Sequence, residues 1–163
     1  MQGRLADPRM QKMPQPTSPQ IELATRPLWS VRVGFDLVQI SLIEKSIQLF
    51  GNFFKYRLFT HNELDYAQLG EGLCAQRLAA RFAAKEAVIK ALRLSNEGVG
   101  WRDIEVQKHH DGDCSLALHG RVAELANAMG ATQLSLSLSH DGDYAGAMVT
   151  VLFTPTQMTG FIQ

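Results

Sequence analysis

Apolar and polar positions change their spacing several times along the chain, and each change marks an element. Val31 to Ile40 (VRVGFDLVQI) is dense in β-branched and large apolar residues and predicts a largely buried strand, interrupted by Asp36. Ser41 to Phe54 follows, with Ser41 available as a cap and apolar residues at Leu42, Ile43, Ile47, Leu49 and Phe50, which suits an amphipathic helix ending near Gly51. A second helix is expected to start at Thr60, because Thr60 and Glu63 have the spacing of a capping box.

The strongest helical signal is Leu78 to Leu92, LAARFAAKEAVIKAL, rich in alanine, leucine and lysine and free of glycine and proline. At 100° per residue Leu78, Phe82, Ile89 and Leu92 share one arc, and Glu86 and Lys90 lie next to each other on its edge. Beyond Gly98 and Gly100, Ile104 to Gln107 and Ser115 to Leu118 flank the turn HHDGD and read as a hairpin. Arg121 to Met129 is a short helix closed by Gly130. Leu134 to Ser139 alternates leucine and serine with a period of two, HDGD turns the chain, and Tyr144 to Phe153 is the closing strand. Hairpins rather than regular strand–helix–strand units follow the long helix, so the expected class is α+β, an antiparallel sheet packed with one long central helix and shorter ones.

Composition narrows the function classes. The 163 residues fit one domain with a tail and suffice for a core without disulfide or metal staples. Residues 1–30 hold five of the six prolines and show neither sustained periodicity nor the apolar core of a secretory signal. They are read as an irregular tail, with the folded domain at 31–154 and a second tail at 155–163. Sixteen acidic residues balance sixteen basic ones, which gives no reason to expect nucleic acid or an anionic membrane as partner. No stretch approaches the roughly 18 to 20 apolar residues of a membrane helix. Cys74 and Cys114 form no CxxC pair and suit a reducing compartment. The expectation is a soluble, cytoplasmic protein whose electrostatic recognition is local.

Several residues are candidates for chemistry, each with a plainer alternative. Asp36 breaks an apolar strand, and a buried carboxylate needs a partner or a cation, although a strand-end aspartate facing solvent would also explain it. Glu86 and Lys90 at i and i+4 are compatible with a surface ion pair worth a few tenths of a kcal/mol. The His109 to Asp113 cluster has ligand-type side chains but the composition of a turn. His140, after a strand, is a candidate by its near-neutral titration alone.

Taken jointly and in order, GFDLVQI, LFT, RFAAKEAVIKAL, W-x-DIEV and LSLSH followed by YAGAMVTV resemble the holo-acyl-carrier-protein synthases, the 4'-phosphopantetheinyl transferases, from Val31 to Phe153. RFAAKEAxxKA is the most specific of these. The resemblance implies transfer of 4'-phosphopantetheine from coenzyme A to a serine of an apo acyl carrier protein, with Asp36 and Glu86 holding one Mg2+. It further implies that Lys90 steadies phosphate charge, that Arg81 and His140 contact coenzyme A, that Glu86 and Lys90 serve the chemistry, and that the protein is a homotrimer. Magnesium suits such a site, because it is usually held by one or two carboxylates plus substrate phosphates.

Departures from the family pattern bear on activity. Gln39 stands where the first motif usually ends in an acid, and Leu42 where an arginine helps dock the carrier. Arg93, Leu94 and Ser95 replace a Gly-Thr-Gly loop, and Cys114 replaces the proline of a later turn. Lys45, Lys55 and Arg57 leave positive charge for a carrier. These changes leave open a second reading, a non-catalytic module of the same fold that binds coenzyme A or a carrier.

Overall fold

The computed structural model describes residues 29–154; the two expected tails lie outside the described residues, apart from the last residues before the first strand. The order is β1 (Ser30–Gln39), α1 (Ile40–Leu58), α2 (His61–Gln68), α3 (Cys74–Leu92), a short 3-10 turn (Trp101–Asp103), β2 (Ile104–Lys108), β3 (Cys114–Leu118), α4 (Gly120–Ala128), β4 (Ala131–Asp141) and β5 (Tyr144–Phe153). The class is the expected α+β. The antiparallel strands fall into two groups: a sheet in the order β1-β5-β4, and the separate hairpin β2-β3. In the sheet Asp36 lies opposite Ala147, and His140 opposite Ala145.

Helix α3 is the axis of the fold, and it starts four residues before the expected Leu78. Its apolar side is not one arc. Ala79, Ala83, Ala84, Ala87, Val88 and Ala91 are buried along with Leu78, Ile89 and Leu92, because the sheet, α1, α2 and the hairpin enclose it on most sides. Small alanine side chains let those layers approach. The closest approach is at Gly34 in β1, where a Cβ would collide with the Ala87 carbonyl oxygen. Glycine there is a packing requirement, and it sets how near β1 comes to α3.

Strand β1 corrects the expectation of a largely buried strand. Gly34, Asp36 and Val38 face α3, whereas Val31, Val33, Phe35 and Leu37 are each more than half exposed. A sheet covered by helices on one side buries only alternate residues. Within one chain the outer face is therefore apolar and open.

Helix α1 also differs from expectation. Gly51 adopts φ 54° and ψ −130°, but the helix resumes and runs on to Leu58, so the glycine makes a kink, not an end. Ser41 lies within the first turn and does not act as the cap. The cap comes from the β4–β5 turn, where the Asp143 carboxylate accepts from the Ser41 backbone N–H at 2.9 Å, the Ser41 hydroxyl at 2.8 Å and the Gln39 amide at 2.8 Å. Those bonds hold the Asp143 carboxyl below the usual carboxylate range, the Ser41 hydroxyl being the largest cause.

The capping box at α2 forms as the spacing predicts. The Thr60 hydroxyl accepts from the Glu63 N–H and the Glu63 carboxylate accepts from the Thr60 N–H. Glu63 also has a long-range role. Its fully buried carboxylate accepts from Lys85 Nζ at 2.8 Å and from the Val106 N–H at 3.0 Å, while Lys85 donates to the carbonyls of Trp101 and Ile104. This one ion pair joins α2, α3 and β2.

Candidate active site

Asp36 and Glu86 are fifty residues apart in sequence, and the close packing of β1 on α3 at Gly34 brings them to one edge of the sheet. Lys90, one helical turn after Glu86, donates to Asp36 Oδ1 at 2.7 Å and to the Phe35 carbonyl at 3.1 Å. The Lys90 side chain is half exposed and that of Asp36 is 17% exposed, so this pair stands at the rim of the fold. The expected surface pair Glu86–Lys90 is thus replaced by one that ties the helix to the strand.

The Glu86 carboxyl is held above the usual carboxylate range, first by its partial burial and then by the negative charge of Asp36, with Lys90 acting in the opposite sense. A carboxyl whose proton affinity is raised by a neighbouring carboxylate marks a place at the sheet edge that favours added positive charge. Among the described residues no group of three or more His, Cys, Asp or Glu stands together as a complete metal cage. The donor set is therefore two oxygen groups, and it fits a hard cation that takes its remaining ligands from water and phosphate.

A cavity of about 470 Å3 lies on the other side of α3, between its first half, β4 and the β2–β3 turn. Arg81 and His140, both expected to contact coenzyme A, line it with Tyr66, Arg77, Lys108 and Cys114. Arg81 is the unusual member. It is only 2% exposed, its Nη1 donates to the Arg77 carbonyl at 3.1 Å and its guanidinium lies 4.3 Å over the Tyr66 ring. Its Nε and Nη2 atoms are buried without a partner among the described residues. Burial disfavours the guanidinium charge, and Glu63 is the main group that counters it. Buried donors without acceptors are costly, and an anion in this cavity would satisfy them. Arg81 precedes Glu86 by five residues, about 7 to 8 Å along the helix axis. Five residues also turn the helix by about 140°, so within one chain Arg81 and Glu86 face different sides of α3.

The HHDGD segment is a turn. The Asp113 N–H donates to Asp111 Oδ1 at 3.0 Å, and a His109 ring nitrogen pairs with the Ser115 hydroxyl at 2.7 Å. Sequence reasoning missed Asp143, although its HDGD turn was recognised. It restores a carboxylate beside Gln39, where the family pattern has an acid.

A model of the 4'-phosphopantetheinyl transferase superfamily matches residues 32–149. The chain belongs to that superfamily. A holo-[acyl-carrier-protein] synthase of Gloeobacter violaceus is 42% identical over 121 residues, covering 74% of this chain and 92% of that protein. The corresponding synthase of Koribacter versatilis is 40% identical over 117 residues, with 71% and 93% covered. Among solved structures, the coenzyme A complex of the Chronobacterium ammoniagenes enzyme superposes with a TM-score of 0.70 at 34% identity, covering 77% of this chain and 99% of that one. The Helicobacter pylori holo-[acyl-carrier-protein] synthase, also in complex with coenzyme A, gives 0.64 at 29%, with 73% and 98% covered. Superfamily membership and fold thus agree with the resemblance carried by the motifs. Among the described residues no helix is long and apolar enough to cross a membrane.

Proposed function

We propose that this phosphopantetheinyl transferase moves 4'-phosphopantetheine from coenzyme A to a serine hydroxyl of an apo acyl carrier protein, with Mg2+ held between Asp36 and Glu86. The observation that carries the reading is the pairing of two mutually repelling carboxylates with Lys90 on one side of α3 and the unsatisfied Arg81 donors on the other. Relatives at about 40% identity named holo-[acyl-carrier-protein] synthase support it. Mg2+ at this place would neutralise diphosphate oxygens as charge builds on them.

The chain's own residues do the rest. Arg81 supplies Nε and Nη2 to phosphate oxygens, and His140 closes the same cavity from β4. Lys90, on a long and half-exposed side chain, can turn from Asp36 to the phosphate that bears the pantetheine arm. Glu86 would help to take up the proton of the attacking hydroxyl, through a water rather than by direct contact. A new bond forms between the serine oxygen and the phosphorus carrying the pantetheine arm. The bond to the bridging oxygen breaks, and adenosine 3',5'-bisphosphate leaves with the electron pair.

The carrier would dock on α1, where Leu42, Leu49 and Phe53 are exposed and Lys45, Lys55 and Arg57 supply positive charge for an acidic partner. With Leu42 in the arginine's place, this contact leans more on apolar burial. The open outer face of β1 and β5, with Val33, Phe35, Leu37 and Met148 exposed, is best covered by further copies of this chain in a homotrimer. His140 supports that arrangement, because it borders both the Arg81 cavity and a groove of about 240 Å3 on the outer face. A neighbouring subunit seated in the groove would then share the site. Coenzyme A as substrate and the two free cysteines, Cys74 and Cys114, favour a cytoplasmic setting.

Intact-mass measurement of a panel of apo carrier proteins incubated with coenzyme A and Mg2+ tests the reading. The expected result is a phosphopantetheine adduct that disappears with Glu86→Ala and with a chelator. No adduct on any carrier would favour the second reading, a coenzyme A or carrier-binding module, to which Gln39, Leu42 and the altered loop at Arg93 to Ser95 lend weight. Light scattering tests the trimer, and a strict monomer at working concentration would rule out a shared site.

A further inference from the structure

The transfer reaction uses the phosphate-facing side of the Arg81 cavity and leaves one nucleophile on its wall unassigned. Cys114 opens β3, opposite Lys108 in the hairpin ladder, and its half-buried thiol lines the cavity. Arg77, Arg81 and Lys108 line the same space, against a single carboxylate, Asp113. Arg81 adds a second and independent mark of a ligand site, two buried donor atoms with no acceptor among the described residues. Cys114 in its thiolate form is also one of the neighbours that support the buried Arg81 charge. The other thiol, Cys74, is free too but does not line this cavity; it packs against the cluster of Leu58, Phe59 and Leu78.

We propose that Cys114 is a thiol–disulfide exchange site that takes anionic low-molecular-weight disulfides into the cavity and, once modified, blocks that cavity. The volume of about 470 Å3 suits a small ligand, and the excess of cationic side chains draws anions to it. The thiol first loses its proton to solvent. Its sulfur then attacks one sulfur of the disulfide, a new S–S bond forms to Cys114, and the other half departs as a thiolate with the electron pair of the broken S–S bond. A dithiol reverses the step. The exchange itself needs only the cavity and its charges, whereas its effect on turnover rests on the reading of this cavity as the coenzyme A site.

The test uses the full chain, fully reduced, as Cys74→Ser and Cys114→Ser variants. Each is treated with the anionic disulfide dithiobis(nitrobenzoate) and with the neutral dithiodipyridine. The ratio of anionic to neutral rates should be about tenfold higher for Cys114 than for Cys74, and the gap should shrink as salt is added. Equal ratios, or a Cys114 that reacts only after denaturation, would overturn the exchange site. Adenosine 3',5'-bisphosphate, which carries no thiol of its own, should slow the Cys114 reaction. If exchange is fast and selective but the nucleotide gives no protection, the placement of coenzyme A in this cavity fails and the exchange site stands. The mixed disulfide should lose coenzyme A binding and regain it with dithiothreitol; modified protein that binds as well as reduced protein would overturn the block.

Discussion

Helix α3 carries two lysine–carboxylate pairs five residues apart, and they live in different worlds. Lys85 and Glu63 are both fully buried, and the pair is enclosed by backbone partners on every side. Burial pushes the Lys85 ammonium towards its neutral form, and Glu63 is the chief group that opposes this by charge and hydrogen bond. Lys90 and Asp36 meet at the same distance class, 2.7 Å against 2.8 Å, but Lys90 is half in water. The bond lengths are the same, and the surroundings decide the role. A dry pair whose every donor is satisfied holds elements in place and cannot be spared, while a wet pair can open and offer its members to a substrate.

Breaking the dry pair should give the largest effect. Glu63→Ala leaves the Lys85 charge buried without its partner and removes the acceptor of the Val106 N–H. Denaturant unfolding should show a loss of about 3 to 5 kcal/mol. The second effect concerns the end of the same helix, just beyond the wet pair. Arg93 adopts φ 60°, a left-handed conformation that places Leu94 in the core at 2% exposure. Arg93→Gly should raise stability by about 1 kcal/mol, read from the same unfolding curves. Breaking the wet pair should do less to the fold. Lys90→Met should change unfolding stability by under about 1 kcal/mol, yet it should strongly impair transfer in the mass assay. A large stability loss in Lys90→Met would erase the distinction between the two pairs.

The smallest effect is a pH trend at the wet site. The Glu86 carboxyl titrates higher in the folded protein than in the unfolded chain, so the native state binds its proton more tightly. Stability then falls as pH rises from the ordinary carboxylate value through the raised one, and the loss is fully present above it. Glu86→Gln should therefore be the more stable protein at neutral pH without Mg2+, and the advantage should vanish in acid. Thermal unfolding at both pH values checks it. An advantage that persists unchanged in acid would mean that charge is not the cause.

Much of the fold could be read in the chain because it is local. The capping box of α2, the two hairpin turns, the terminator at Gly130 and the long alanine-rich helix all follow from spacing and turn chemistry. The partly legible elements are those whose fate depends on distant residues. Gly51 looked like a helix end and is a kink. Ser41 looked like a cap, but the cap is Asp143, which arrives from 102 positions away. Lys85 sits beside Glu86 in the same motif, yet nothing in its spacing told that one is a buried anchor and the other a rim carboxylate.

Sequence by itself determined the class of fold, the candidate set Asp36, Arg81, Glu86, Lys90 and His140, and the superfamily, because these depend on residue type and order. Tertiary structure alone decided which charges stay dry and which meet water. It also divided the candidates into a carboxylate–lysine edge and an arginine-lined cavity on either side of α3. Burial is a property of what packs around a residue, and the layers around α3 are supplied by segments far from it in the chain.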